Sequence, residues 1–408
     1  NYNVVVGDEA GTAITTGDGN VAVGFEAGND ITTGSYNTIM GWKAGDKIST
    51  GGSNTAIGDA AIGSDTLGQK SVAIGSNTLN AQNFTTATDT YNTAMGWNAG
   101  AAVTTGRLNT LIGGLAGDTL TESTHNVAVG YQALSSDTLG SKSVALGMNA
   151  LKVQNFTTAT DTYNTAVGYT AGLNITTGIQ NTIIGALAGD ALTDADFNVA
   201  LGVASLSVDT LGSKSTALGY GSLANQNFTT ATDTFNTAVG FQAGTNVTTG
   251  VKNTLIGTTS GTSLTDADLN TAVGFDALAS DTLGSRSVAI GKSTLNAQNF
   301  TTATDTYNTA VGYHAGLAVT TGDSNTLIGG LAGDALTVGN SNVVLGFNAL
   351  SSDTKGDRSV AIGMAALTAQ NFTTTTDTYN TAVGYTAGAA ITTGTSNTLI
   401  GGLAGDAL

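Results

Sequence analysis

"QNFTTATDTYNTAVGY" occupies residues 154–169, and almost the same words begin at Gln82, Gln226, Gln298 and Gln370, always 72 residues apart. A catalytic site is normally needed once, so a polar sentence spelled five times concerns architecture before chemistry. Inside it lies a shorter phrase, NTAVG (164–168), and this phrase decides the fold.

Generalised to Asn/Ser, Thr/Val, any residue, aliphatic, Gly, the phrase begins 23 times between Asn3 and Asn397. Successive starts are 17 residues apart, except that every interval opening on a Ser is 21. Three coils of 17 and one of 21 make the 72-residue cycle, with cycles starting at 20, 92, 164, 236, 308 and 380. A fixed short period marks a solenoid, in which each repeat stacks on the last to complete a core that it cannot close alone.

Each position has a physical reading. The second and fourth residues share one face of a strand and the third points the other way. A β-branched residue followed by an aliphatic one suits a pleated, half-buried surface. The third is mostly Ala but becomes Ile39, Leu111, Ile183, Leu255, Leu327 and Leu399 in the second coil of each cycle. Both faces are therefore apolar, which predicts that one is the coil interior and the other meets a neighbouring chain. The closing Gly, such as Gly96 or Gly168, suits a corner of positive φ or close backbone approach. A second apolar segment, "DITTG" or "AVTTG", predicts another short strand and hence two strands per coil. Helices are excluded, because i, i+3, i+4 stripes are absent and Gly is frequent.

The predicted fold is all-β: a parallel β-solenoid of about 22 complete coils running as one array through residues 1–408. At one strand spacing per coil, such a stack reaches roughly 105 Å, and each cycle contributes roughly 19 Å. In the 21-residue coil, Phe84, Phe156, Phe228, Phe300 and Phe372 should pack back on the coil, leaving "TTATDT" as a loop outside the ladder. Because the pattern begins and stops without a cap, the chain is expected to be a segment of a longer fibre.

Composition narrows the function. Pro and Cys are absent and charged residues make up 10% of the 408. Without Pro, no ladder position lacks its donor. Without Cys, disulfides, thiolate metal sites and Cys nucleophiles are excluded. The net charge of −17 disfavours nucleic acid, since no basic stripe can neutralise phosphates. No apolar run approaches a membrane span, so membrane insertion is not expected. Nor does catalysis have a constellation to work with. His125 and His314 fall at unrelated repeat positions, and no P-loop Lys follows the "GGLAG" stretches. No enzyme activity, cofactor or metal is expected.

At "NTAVGYTAG", "KSVAIGSNTLN" and "RSVAIGKSTLN" the chain resembles the head repeats of YadA-like trimeric autotransporter adhesins and related phage tail-fibre proteins. That resemblance implies a left-handed parallel β-roll, three chains side by side, and a non-enzymatic role at a cell or virion surface. The coils here are longer than in those heads, and stalk heptads are missing.

Several residue sets are candidates for specific roles. The position-one Asn, in 18 of 23 coils, predicts a stacked amide ladder. Val6, Ile74, Val167, Val239, Val311 and Val383 should share one aliphatic column. Phe25, Trp97, Tyr169, Phe241, Tyr313 and Tyr385 follow the Gly of each first coil and suit an interchain contact or, less readily, a sugar. Asp65, Asp137, Asp209, Asp281 and Asp353, with Lys70, Lys142, Lys214, Arg286 and Arg358 five residues on and Asp89, Asp161, Asp233, Asp305 and Asp377 in the inserted coils, predict an ion-paired or solvated edge. Asn83, Asn155, Asn227, Asn299 and Asn371 match the N-glycosylation sequon, as do Asn174 and Asn246.

These features predict an extracellular or virion-surface structural fibre that associates with copies of itself. The first alternative is an adhesin touching cell-surface glycans or a receptor through the inserted loops. A third class, an ice-binding solenoid, needs a flat exposed Thr ladder, whereas position two alternates between Thr and Val.

Overall fold

A computed structural model describes residues 2–408. Among them there is no helix, and the recurring element is a three-residue strand on positions two to four of the phrase. The chain divides into two compact units, Asn1–Asn198 and Val199–Leu408. Each is a stack of parallel coils, with eleven such strands in the first unit and twelve in the second.

Register follows the sequence phrase without a slip. Val21–Val23 lies parallel to Thr38–Met40, with Ala22 opposite Ile39. In the second unit Thr237–Val239 pairs Thr254–Ile256 in the same way. The 21-residue coil keeps this register: Ala73 faces Ala94, and Ile74 faces Met95. The four extra residues are thus absorbed elsewhere in the coil.

Position three is the interior. Ala22, Ile39, Ala94, Leu111, Ala166 and Ala238 have no exposed surface. Two further columns share the core: the ninth and twelfth residues of each coil, counting the phrase's first as one. Their side chains compensate one another. First and second coils carry Gly at nine and Ile, Val or Leu at twelve, as in Gly100 with Val103 and Gly117 with Leu120. Third and fourth coils carry Ile or Leu at nine, such as Ile62, Leu79 and Leu134, and polar residues at twelve. A Cβ on Gly100 would stand 2.9 Å from Leu79 Cδ2 and 2.7 Å from Leu111 Cδ1, so Gly makes room for Leu from both adjacent coils. Leu79 itself adopts φ +49°, a conformation costing about 1–2 kcal/mol that burial of its side chain offsets.

The closing Gly meets both expectations. Gly168 has φ +142°, and a Cβ there would fall 2.5 Å from the carbonyl oxygen of Gly185 in the next coil.

Two expectations need correction. The "ITTG" segments are not strands: the N–H groups of Thr15, Thr16 and Gly17 converge on one acceptor, the Thr32 carbonyl, at 3.0, 3.3 and 3.2 Å. Backbone rolled around a single oxygen cannot be extended. A second strand, two residues long, appears only where third and fourth coils meet, pairing Gly68–Gln69 with Thr88–Asp89. Hence "TTATDT" is not wholly outside the ladder, since its Thr-Asp rejoins the sheet and only Thr85, Thr86 and Ala87 project.

Candidate functional surfaces

Asn at position one forms a buried spine, though less as an amide-to-amide ladder than as a side-chain-to-backbone one. Asn92 Oδ1 accepts the Asn109 backbone N–H at 3.0 Å, and Asn109 Oδ1 accepts that of Asn126 at 3.0 Å. The amide nitrogen turns the other way: Asn109 Nδ2 donates to the Ser123 carbonyl at 2.9 Å. Direct amide contacts such as Asn37 Nδ2 to Asn20 Oδ1, at 3.1 Å, occur at a minority of steps.

The spine changes at the inserted coil, where position one is Ser. Asp65, at interior position twelve, is fully buried and does not pair with Lys70. Its Oδ1 accepts the N–H groups of Gly68 (3.0 Å) and Phe84 (3.1 Å), and its Oδ2 accepts from Gln82 Nε2 (2.6 Å). Gln82 Nε2 also donates to Ser71 Oγ (2.9 Å), while Gln82 Oε1 accepts from Asn92 Nδ2 (2.9 Å). Ser71 Oγ lies 2.5 Å from Thr90 Oγ1, which accepts the Asn92 N–H at 3.3 Å. Thr90 and Gln82 therefore take over the two roles that one Asn oxygen fills elsewhere. The Asp–Gln bond recurs at Asp137–Gln154, Asp209–Gln226, Asp281–Gln298 and Asp353–Gln370. Such a network is favourable in an apolar interior because each polar atom finds a partner.

This overturns the solvated-edge expectation for the third-coil Asp residues. A carboxylate on an inward column must be hydrogen-bonded rather than hydrated. The ion pairs form between the other two partners, across adjacent coils. Lys70 Nζ meets Asp89 Oδ2 at 2.6 Å, and Lys142–Asp161, Lys214–Asp233 and Arg286–Asp305 repeat it at 2.6, 2.5 and 2.8 Å. Arg358 pairs Asp377 likewise. Each cation also lies over an aromatic ring, as Lys70 does over Tyr91 (5.2 Å) and Lys214 over Phe235 (5.3 Å). Lys70 holds the Asp89 carboxyl below its ordinary range.

Phe84 and its four counterparts are buried, at 5–7% exposure, and pin the base of the inserted loop. The sequon residues sit beside it: Asn83, Asn155, Asn299 and Asn371 are exposed and Asn227 is half-buried.

The aliphatic column holds its register, with Ile57, Ile74 and Met95 in line and Leu146, Val167 and Ile184 likewise. It faces outward, however. Val6 is 57% exposed, while Ile74, Val167, Val239, Val311 and Val383 are half-buried. The residue after the Gly extends this face. Phe25 is 37% exposed, and Trp97, Tyr169, Phe241, Tyr313 and Tyr385 lie between 49% and 57%. Rings from adjacent coils stack along it, Phe25 on Trp42 at 6.4 Å and Tyr220 on Phe241 at 5.4 Å. Positions two and four contain no charged residue in any coil. The outer face of each unit's long sheet is thus uncharged at these two positions, Thr or Val beside an aliphatic residue, with an aromatic ring after the Gly in eleven of the 23 coils. Exposed apolar groups so aligned are more than scattered side chains.

On another corner, Asp118, Asp190 and Asp334 stand at equivalent places, each with one buried carboxylate oxygen lacking a partner. Burial pushes their carboxyls above the ordinary range. Ser64, Asn77, Asn80 and Asn98 line a recess across three successive coils. The first hydroxyl of the TTG segments is engaged, since Thr32 and Thr104 donate to the carbonyls of Ser49 and Thr121 (3.2 and 3.3 Å).

Position-by-position reading missed Gln82, Thr90 and Tyr91 and their counterparts. The signal lay in column twelve, which reads aliphatic, aliphatic, Asp, Gln through each complete cycle while column nine reads Gly, Gly, then Ile or Leu, then Leu. A polar pair on an inward column, with Leu restored two rows away, announces a buried network. No protein-family model matches the chain, and no curated protein matches it in sequence.

Proposed function

We propose that this β-solenoid is a non-catalytic structural protein, a segment of an extracellular or virion-surface fibre built by side-by-side association of identical chains. One observation carries the reading: the outward face of the long sheet bears an aliphatic residue at position four of every coil and an aromatic ring after the Gly in eleven of the 23, and among the described residues much of that apolar surface stays half-buried or exposed. Exposed continuously, such a surface would aggregate. A second copy is the natural cover, because its own face has the same 17-residue spacing and stays in step along its length. A trimer closes three such faces around one axis, in keeping with the adhesin and tail-fibre heads that the repeats resemble. Within each unit, rigidity comes from the ladder and the Asn spine, which tie coil to coil.

The test is the mass of the intact chain in solution, by sedimentation or light scattering, with negative-stain images. A mass of three chains and narrow rigid particles are expected. A monodisperse 40.3 kDa monomer would overturn the association.

A further inference from the structure

We infer that the association face is sensitive to oxidation: a peroxide acting on its four methionines separates the chains while each chain keeps its fold. The inference rests on the fibre reading for what meets at that face, and adds how the contact is controlled.

Position is the first observation. The chain has 4 Met and no Cys, so these thioethers are its only sulfur atoms. Met40 and Met95 stand at position four of their coils, and Met148 and Met364 directly follow the strand-closing Gly. All four are therefore on the outward face, at 42–50% exposure. The buried apolar residues are Ala, Val, Ile, Leu and the Phe84 set, without a Met. Met is otherwise an ordinary filler of protein interiors.

The neighbours are the second observation. In the ladder Met95 lies between Ile74 and Ile112, and Met40 between Val23 and Ile57. Met148 has Tyr131 on the coil before and Tyr169 on the coil after, and Met364 has Phe347 and Tyr385. Each sulfur thus stands among the aliphatic and aromatic groups that a second copy would cover.

The chemistry links position to control. Hydrogen peroxide transfers one oxygen atom to the thioether: its O–O bond breaks, an S–O bond forms, the sulfur is oxidised by two electrons, and the peroxide is reduced to water. The product is a polar sulfoxide. In a single chain the new oxygen is hydrated, because the side chain is half-exposed, and no interior column is disturbed. Under a second copy it loses that water among apolar neighbours, which is unfavourable unless a new donor replaces it. Every copy brings four such groups, so their effects accumulate along the face.

The intact protein would be treated with hydrogen peroxide, its sulfoxides counted by intact mass and its association followed by light scattering across a dilution series. Conversion of all four Met should raise the dissociation constant at least tenfold at unchanged far-ultraviolet circular dichroism, and methionine sulfoxide reductases should reverse the change. A variant carrying Met40→Leu, Met95→Leu, Met148→Leu and Met364→Leu should associate like the parent and stay associated in peroxide. Unchanged association at four sulfoxides, loss of the circular dichroism signal on oxidation, or equal dissociation of the Leu variant in peroxide overturns the inference. The untreated sample separates the two readings. A monomer before any peroxide removes the fibre reading and this inference with it, whereas an assembly that survives full oxidation removes this inference alone.

Discussion

Gln82 Nε2 lies 2.6 Å from Asp65 Oδ2 in the interior of the stack, and both residues are fully buried. A carboxylate in that position is tolerated because two backbone N–H groups and one amide face it. Gln82→Leu should therefore be costly, leaving Asp65 Oδ2 and Asn92 Nδ2 without the bonds Gln82 supplies. A loss of about 2–4 kcal/mol is expected for the coils around it, since a buried acceptor and a buried donor each lose a partner. Adding Asp65→Leu should recover only part, since Gly68 and Phe84 would still lose their acceptor. Amide hydrogen exchange around residues 65–95 would check both. Equal protection in Gln82→Leu and the parent chain would show that the network does not hold the inserted coil.

Asn109 Oδ1 accepts the Asn126 N–H, its Nδ2 donates to the Ser123 carbonyl, and its backbone N–H donates to Asn92 Oδ1. Asn109→Ala removes the side-chain bonds and strands a buried N–H and a buried carbonyl, costing about 2–4 kcal/mol. Asn109→Ser should fare nearly as badly. The natural Ser71 is supported by Gln82 and Thr90, and no such pair flanks residue 109. Thermal denaturation of the two variants would distinguish this from a simple turn preference, under which Ser would be close to neutral.

The conformation of Gly168 is dictated by its neighbour. A methyl group there would lie 2.5 Å from Gly185 O, which is backbone and cannot move aside cheaply. Gly168→Ala should open the stack locally and create a new protease-sensitive site near 168–185. Gly114, where an added Cβ would meet nothing nearer than the Tyr131 ring at 3.6 Å, supplies the control and should tolerate Ala. Equal protease resistance in the two variants would contradict the close approach.

The coil spacing, the strands of the long sheet, the position-one spine and the buried Phe84 were readable in the sequence, because a 17-residue column averages out local ambiguity. Much of what escaped had one physical origin: the sequence shows alternation but not which face is inside. Val167 and Ala166 are both apolar, and only the narrowness of the coil assigns the small residue to the interior. The same ambiguity hid Asp65, whose partners Gly68, Gln82 and Phe84 come from two coils. "NITTG" looked extended because its residues are β-branched, yet shared acceptors roll it.

Acidity should act on this chain in two opposite ways. Asp118, Asp190 and Asp334 have carboxyls raised by burial, so their contribution to stability is fully present below the ordinary carboxylate range. It is lost as pH rises through their raised values. Asp89 and Asp161 are lowered by Lys70 and Lys142, so their contribution is present above the ordinary range and lost as pH falls through the lowered values. Asp118→Asn, Asp190→Asn and Asp334→Asn together should raise the melting temperature at pH 7 and leave it nearly unchanged at about pH 3, where the parent is protonated too. A lower melting temperature at neutral pH would mean that these carboxylates hold partners when ionised.

Val167 and Val239 stand on the outward column with Ile184 and Ile256 beside them, and neither contributes to the interior. A charge there has little to disturb within one chain but must be desolvated if a second chain covers the face. Val167→Glu with Val239→Glu should leave far-ultraviolet circular dichroism and melting of the separated chain intact. It should shift the solution mass from the assembly to 40.3 kDa. Ala166→Glu, one residue away on the inward face, should instead destroy the fold, because the Ala166 column has no exposed surface. If Val167→Glu and Val239→Glu left the assembly mass unchanged, the apolar face would not be where the chains meet. If they unfolded the chain as Ala166→Glu does, the assignment of inner and outer faces would be at fault.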